Sequence, residues 1–247
     1  MKNQLSFNTS GFYEYLDRKN PTTRINKGFF KHHFEDIDFK ELERIANEFS
    51  QEYGIKIDSR LPKVIVVPHL PDNGWIGATI FYSNGIDILL CGYSITDVVT
   101  LYSTLFHELV HSNSYIYIND MLGVNHTWFT QLINEQLYHE GIDEGMTDML
   151  AGELFKRYCD IKSLPYIYEY SNIREIWKVK RLIVFLSRKC GYSKEGIQKI
   201  LYSWYFNGIQ KNEVGMWKSI YKALSDVNGE FNLTDTEIIR ILDDTLN

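Results

Sequence analysis

An α+β fold is predicted by three features of the sequence. Lys63 to Val67 (KVIVV) is a β-branched run bounded by Pro62 and Pro68, the pattern of a buried strand. Trp75 to Tyr82 and Ile86 to Cys91 are two further strand-like runs, joined by Ser83-Asn84-Gly85, a hairpin signal of the Asn-Gly type. After Cys159 the periodicity is helical throughout. The expected architecture is a small mixed sheet with a central helix in an N-terminal lobe (about residues 1–118), and a helical C-terminal lobe (about 119–247). The two lobes form one catalytic unit over 1–247.

Taken in order, residues 1–35 are mixed and aromatic, with a turn at Asn20-Pro21. His32-His33 falls in what reads as an extended segment, where adjacent side chains point to opposite faces, so it is set aside as a metal site. A helix is expected from near Asp38, with Phe39, Leu42, Ile45, Ala46 and Phe49 as its apolar stripe and Gly54 as its end. The stretch Ser94 to Ile118 is the longest apolar-rich helix candidate. Val98, Leu101, Leu105 and Leu109 give it one buried face, and Ser94 with Asp97 supplies a capping box. Residues 119–137 are a connector, read as a partly ordered lid or cleft wall. Helices follow over Ile173 to Lys189, Lys194 to Phe206, Glu213 to Val227 and Thr234 to Leu246, punctuated by Gly191, Gly208 and Gly229.

The central helix carries His107-Glu108-Leu109-Val110-His111, an H-E-x-x-H motif. Residues four apart lie one above the other on a helix, so both imidazoles can converge on one ion with Glu108 beside them. Two neutral nitrogen ligands, an open position for water and a carboxylate to take that water's proton are what a zinc hydrolase requires. One Zn2+ per chain is expected. The competing reading is a helix whose histidines cap or pack, with a surface glutamate between them.

Downstream, Glu144-Gly145-Met146-Thr147-Asp148 follows at a separation that resembles the gluzincin branch of the zincin metallopeptidases. In that family a glutamate ligand on a second helix follows H-E-x-x-H by some tens of residues, often as E-G or E-x-x-x-D. The resemblance implies a zincin-like fold, zinc on His107, His111 and Glu144, and Glu108 as general base. It also implies that Asp148 hydrogen-bonds a ligand histidine, with His107 the expected partner. Glu140 stays open as an alternative third ligand, and a solvated helix charge remains the plain reading of Asp148. The branch with a third histidine is not supported, because Ser112-Asn113-Ser114-Tyr115 lacks its glycine and histidine.

By the same resemblance, Gly74 to Tyr82 is the strand a peptide pairs with, Gly77 and Ala78 leaving room for its backbone. An ordinary hairpin packed on the helix explains that segment equally well. Tyr138 and His139 are the first candidates for stabilising an oxyanion, in competition with His126, Tyr166, Tyr168 and Tyr170. The implied activity is hydrolysis of peptide bonds in a peptide or protein substrate. The alternatives are a non-catalytic peptide-binding zincin fold and a zinc hydrolase of a non-peptide amide. Housekeeping, regulatory and toxin-like roles all fit the resemblance, which rests on the segment from His107 to Asp148.

Composition bounds the remaining choices. A net charge of −6 argues against a nucleic-acid surface, and nothing in the charge balance suggests an anionic membrane partner. The N-terminus lacks the apolar run of a secretory signal and no segment reaches membrane-spanning length, so a cytoplasmic location is expected. Cys91, Cys159 and Cys190 form no C-x-x-C pair and are expected as reduced thiols. Arg174, Arg181 and Arg188 share a helix face that reads as solvated. The acidic run Asp226 to Glu237 resembles a calcium loop but has Phe231 where glycine is required. Thr234 and Glu237 form a capping box instead.

Overall fold

In the computed structural model, residues 5–7, 25–53, 62–70, 75–82, 85–114, 131–133, 136–138 and 140–207 are described. Their contacts divide into two units. The first comprises Met1–Glu48, Asp58–Asn113 and Leu150–Tyr170; the second comprises Phe49–Ile57, Ser114–Met149 and Ser171–Asn247. The expected helices over Glu213 to Val227 and Thr234 to Leu246, and the calcium-like run, lie outside the described residues, as do Gly54, Gly74, His126 and His139.

In the first unit, Leu5–Phe7 (β1) pairs in parallel with Lys63–Val67 (β2). Strand β2 pairs in parallel with Gly85–Cys91 (β4), and Gly77–Tyr82 (β3) closes the sheet as an antiparallel edge, in the order β1-β2-β4-β3. The continuous β-branched character of β2 is explained by burial on both sides, since Val64 to Val67 are all buried. One face presents Ile65, Val67, Leu89 and Cys91, which cluster with Leu70 and pack against Ala78 and Ile80. By alternation the other face carries Val64, Val66, Ile88, Leu90, Gly77 and Thr79. Helix Val98–Asn113 (α3) covers that second face.

Lys27–Glu35 (α1) and Phe39–Tyr53 (α2) precede the sheet. Helix α1 overturns the expectation of an extended segment at His32-His33. Asn26 caps it, its side-chain oxygen accepting from the Phe29 amide at 3.0 Å, and Phe30 and Phe34 form its buried side. Helix α2 begins where expected: Asp38 accepts from the Glu41 amide at 3.1 Å, and Phe39, Leu42, Ile45 and Phe49 are buried. The start of α3 differs from expectation. Asp97 is the cap, accepting from the Thr100 amide at 2.9 Å and its hydroxyl at 2.8 Å, whereas the Ser94 hydroxyl lies 3.2 Å from the Cys91 thiol. The helix starts at Val98, so the residue immediately before it is the one placed to reach the free amides.

Helix Glu140–Lys162 (α4) contributes its second half to this unit. Phe155 is the hub of an aromatic cluster, with ring centroids of Tyr102, Phe106, Tyr166 and Tyr168 at 4.9 to 5.9 Å. Tyr102, Tyr166 and Tyr168 therefore pack against Phe155. Tyr168 also donates to the Ser103 carbonyl, and the Tyr166 and Tyr170 hydroxyls lie 3.0 Å apart.

In the second unit, Gln131–Ile133 (β5) and Gln136–Tyr138 (β6) form a short antiparallel hairpin within the connector. The first half of α4 packs on Ile173–Cys190 (α5) at Gly145, where a Cβ would come within 2.6 Å of the Glu175 carbonyl. Ile176, Val179, Leu182, Ile183 and Leu186 form the buried stripe of α5, while Arg174, Arg181 and Arg188 are exposed. Lys194–Asn207 (α6) follows and places Tyr202 in an aromatic group with Phe49 and Tyr53. The fold is mixed α+β. Among the described residues no helix is long and apolar enough to cross a membrane. The three cysteines are free thiols.

Candidate metal centre

The site is built first from the four-residue spacing on α3. His107 and His111 stand one turn apart and their Nε2 atoms approach to 3.0 Å, with ring planes at 74°. Two nitrogens bound tetrahedrally to zinc at its usual bond length would be about 3.3 Å apart. The imidazole pair therefore needs only a small adjustment to share an ion, and two half-buried imidazoles suit zinc chemically.

Glu108, between them in sequence, turns toward the sheet and is 6% exposed. Thr79, on edge strand β3, donates its hydroxyl proton to Glu108 Oε2 at 2.7 Å, and the same hydroxyl lies 3.0 Å from the Glu108 carbonyl. The bare side of Gly77 faces α3: a Cβ there would lie 2.6 Å from Thr104 Cγ2 and 2.7 Å from Glu108 Oε1. Gly77 thus lets the strand approach closely enough for Thr79 to reach the carboxylate. Ala78 points to the opposite face and packs on the apolar cluster there. Strand β3 is outermost in the sheet among the described residues, and its Gly77 and Thr79 face borders the helix bearing the motif.

In the second unit, Glu144 is half-buried on α4, and its Oε2 accepts from Asn172 Nδ2 at 3.0 Å. Asp148, one turn on, is 1% exposed. Its Oδ2 accepts from the Asn172 amide at 2.7 Å and the Ser171 hydroxyl at 3.3 Å. It thereby satisfies an amide at the start of α5, so it is not the solvated charge that the plain reading allowed. Between these two acids, Thr147 donates to the Asp143 carbonyl and meets the Tyr205 hydroxyl at 2.5 Å. Complete burial, with the Asp143 charge nearby, holds the Tyr205 phenol well above its usual pKa, so it stays protonated.

Thr79, Asn172 and Ser171 were not found from the sequence. Each acts through a contact between segments distant along the chain, which spacing within one helix does not reveal. For Glu140 and Tyr138 only the backbone is described, at the start of α4 and the end of β6. No protein-family pattern matches the chain, and no curated protein or solved structure is significantly similar to it.

Proposed function

We propose that the chain is a zinc-dependent hydrolase of peptide bonds, of the zincin type with a glutamate third ligand. The observation that carries this reading is the convergence of His107 and His111 Nε2 at 3.0 Å on a helix whose intervening Glu108 is buried and positioned by Thr79. A histidine pair that merely packed would not require a buried carboxylate braced from a neighbouring strand. Glu144 is added as third ligand on the resemblance to the gluzincin spacing, and its carboxylate is held on α4 by Asn172 at 3.0 Å.

In this reading the two imidazoles and Glu144 hold the ion, and Asn172 fixes the Glu144 carboxylate through Oε2. Zinc supplies Lewis acidity, polarising the scissile carbonyl and rendering water acidic enough to react near neutral pH. Glu108 accepts the proton of the attacking water and returns it to the leaving amine, while the Thr79 bond limits the rotamers its carboxylate can adopt. The outer edge of β3 offers backbone groups with which an extended peptide can pair.

Substitution by glutamine tests the base. Glu108→Gln is expected to retain zinc and lose at least about 100-fold in turnover of a quenched-fluorescence peptide library. Full activity in that variant would remove Glu108 from the reaction. Glu144→Ala is expected to lose tightly bound zinc. Unchanged zinc content there would move the third ligand to Glu140.

A further inference from the structure

We propose a second divalent-metal site at the C-terminal end of α1, formed by His32, His33 and Asp36, that takes zinc or a similar late first-row ion. One ligand atom from each of these residues lies within 4.8 Å of the other two. The imidazole of His32 and the Asp36 carboxylate are one helical turn apart, with Nε2 to Oδ2 at 3.8 Å. The His32 and His33 rings, adjacent in sequence, have centroids 4.8 Å apart. Helix geometry makes this possible: successive side chains diverge by about 100° rather than the half-turn of a strand, so both rings reach the same end of the helix.

Three features distinguish this group from a chance surface ion pair. The donor set is two imidazoles and one carboxylate, which suits zinc and copper and is a poor match for calcium or magnesium. The His33 ring lies edge-on to Phe29 at 4.7 Å and is partly buried, so one ligand is held in place before any ion arrives. The site also sits at the C-terminal end of the helix, where the helix dipole is negative, which favours a cation. His32 and Asp36 are largely exposed, so solvent completes the coordination, and the site is expected to bind more weakly than the half-buried pair on α3.

A consequence follows for the first unit. The His33 carbonyl accepts from the Tyr102 hydroxyl of α3 at 3.4 Å. An ion clipping the last turn of α1 therefore stiffens a segment tied directly to the helix that bears His107 and His111.

The test is zinc titration of the metal-free full chain against a competing chromophoric chelator, with stoichiometry from equilibrium dialysis. The parent is expected to bind two zinc ions per chain. His32→Ala/His33→Ala is expected to bind one, with its tight step unchanged. His107→Ala/His111→Ala is expected to keep the weaker ion and to lose it when His33→Ala is added. Circular dichroism and urea denaturation of each variant check that the overall fold is retained. If the His32→Ala/His33→Ala variant binds as many ions as the parent with the same affinities, the second site is wrong, whatever becomes of the α3 pair. If only the α3 variants leave zinc binding unchanged, the hydrolase reading falls and the surface site stands.

Discussion

Glu108 and Gly77 show how one position constrains another across a helix and a strand. A methyl group at position 77 would overlap Thr104 Cγ2 and Glu108 Oε1. Gly77→Ala is therefore expected to push β3 away from α3 and to cost about 1–3 kcal/mol of stability, measured by urea denaturation. It should also disturb the Thr79–Glu108 bond, and so lower activity more than stability alone explains. Thr79→Ser, which retains the hydroxyl, should preserve activity, whereas Thr79→Val should not. At this scale the sequence disclosed the two histidines and the glutamate between them, because helical spacing alone brings them together. It could not disclose Thr79 or Asn172, whose partners lie 29 and 28 residues away.

At the scale of elements, periodicity and capping chemistry identified most of the fold. Strand β2, the hairpin β3–β4, and helices α2, α3, α5 and α6 all fall where apolar pattern and turn residues place them. Helix α1 was missed because its nine residues carry a charged and histidine-rich middle and present only Phe30 and Phe34 to the interior. The cap of α3 was misassigned by one turn, with a consequence that pH can test. Backbone and side-chain hydrogen bonds from Thr100 hold the Asp97 carboxyl below its usual pKa of 3.8. A carboxylate with a lowered folded-state pKa stabilises the fold above its unfolded value, and that contribution is lost as pH falls through the folded value. Asp97→Ala should therefore cost about 1 kcal/mol near neutral pH. The difference from the parent should fade as the pH drops below about 3.8. A difference that persists in strong acid would mean that Asp97 acts through packing instead. Gly191 ends α5 in the left-handed region at φ 73°, with open space around it. Gly191→Ala is expected to cost about 1 kcal/mol through backbone strain alone.

Across the whole molecule, the chain places its chemistry-bearing residues on its most regular elements. The H-E-x-x-H helix is supported by a buried sheet on one side and by the Phe155 aromatic cluster. Phe155→Ala should leave a cavity among four rings and cost about 3–5 kcal/mol, read as a lowered denaturation midpoint. The sequence expectation of two lobes was drawn as a single boundary. By their contacts, α2 and α4 each contribute residues to both units.

The central claim is that His107 and His111 hold a zinc ion. It is tested most directly by elemental analysis of the His32→Ala/His33→Ala variant, which isolates the α3 site, beside the same protein carrying His107→Ala. After dialysis against zinc-free buffer, about one tightly bound zinc per chain is predicted in the first protein and none in the second. No zinc in the first, even after loading, or an equal content in both, would contradict the assignment and leave H-E-x-x-H as a coincidence of helical spacing.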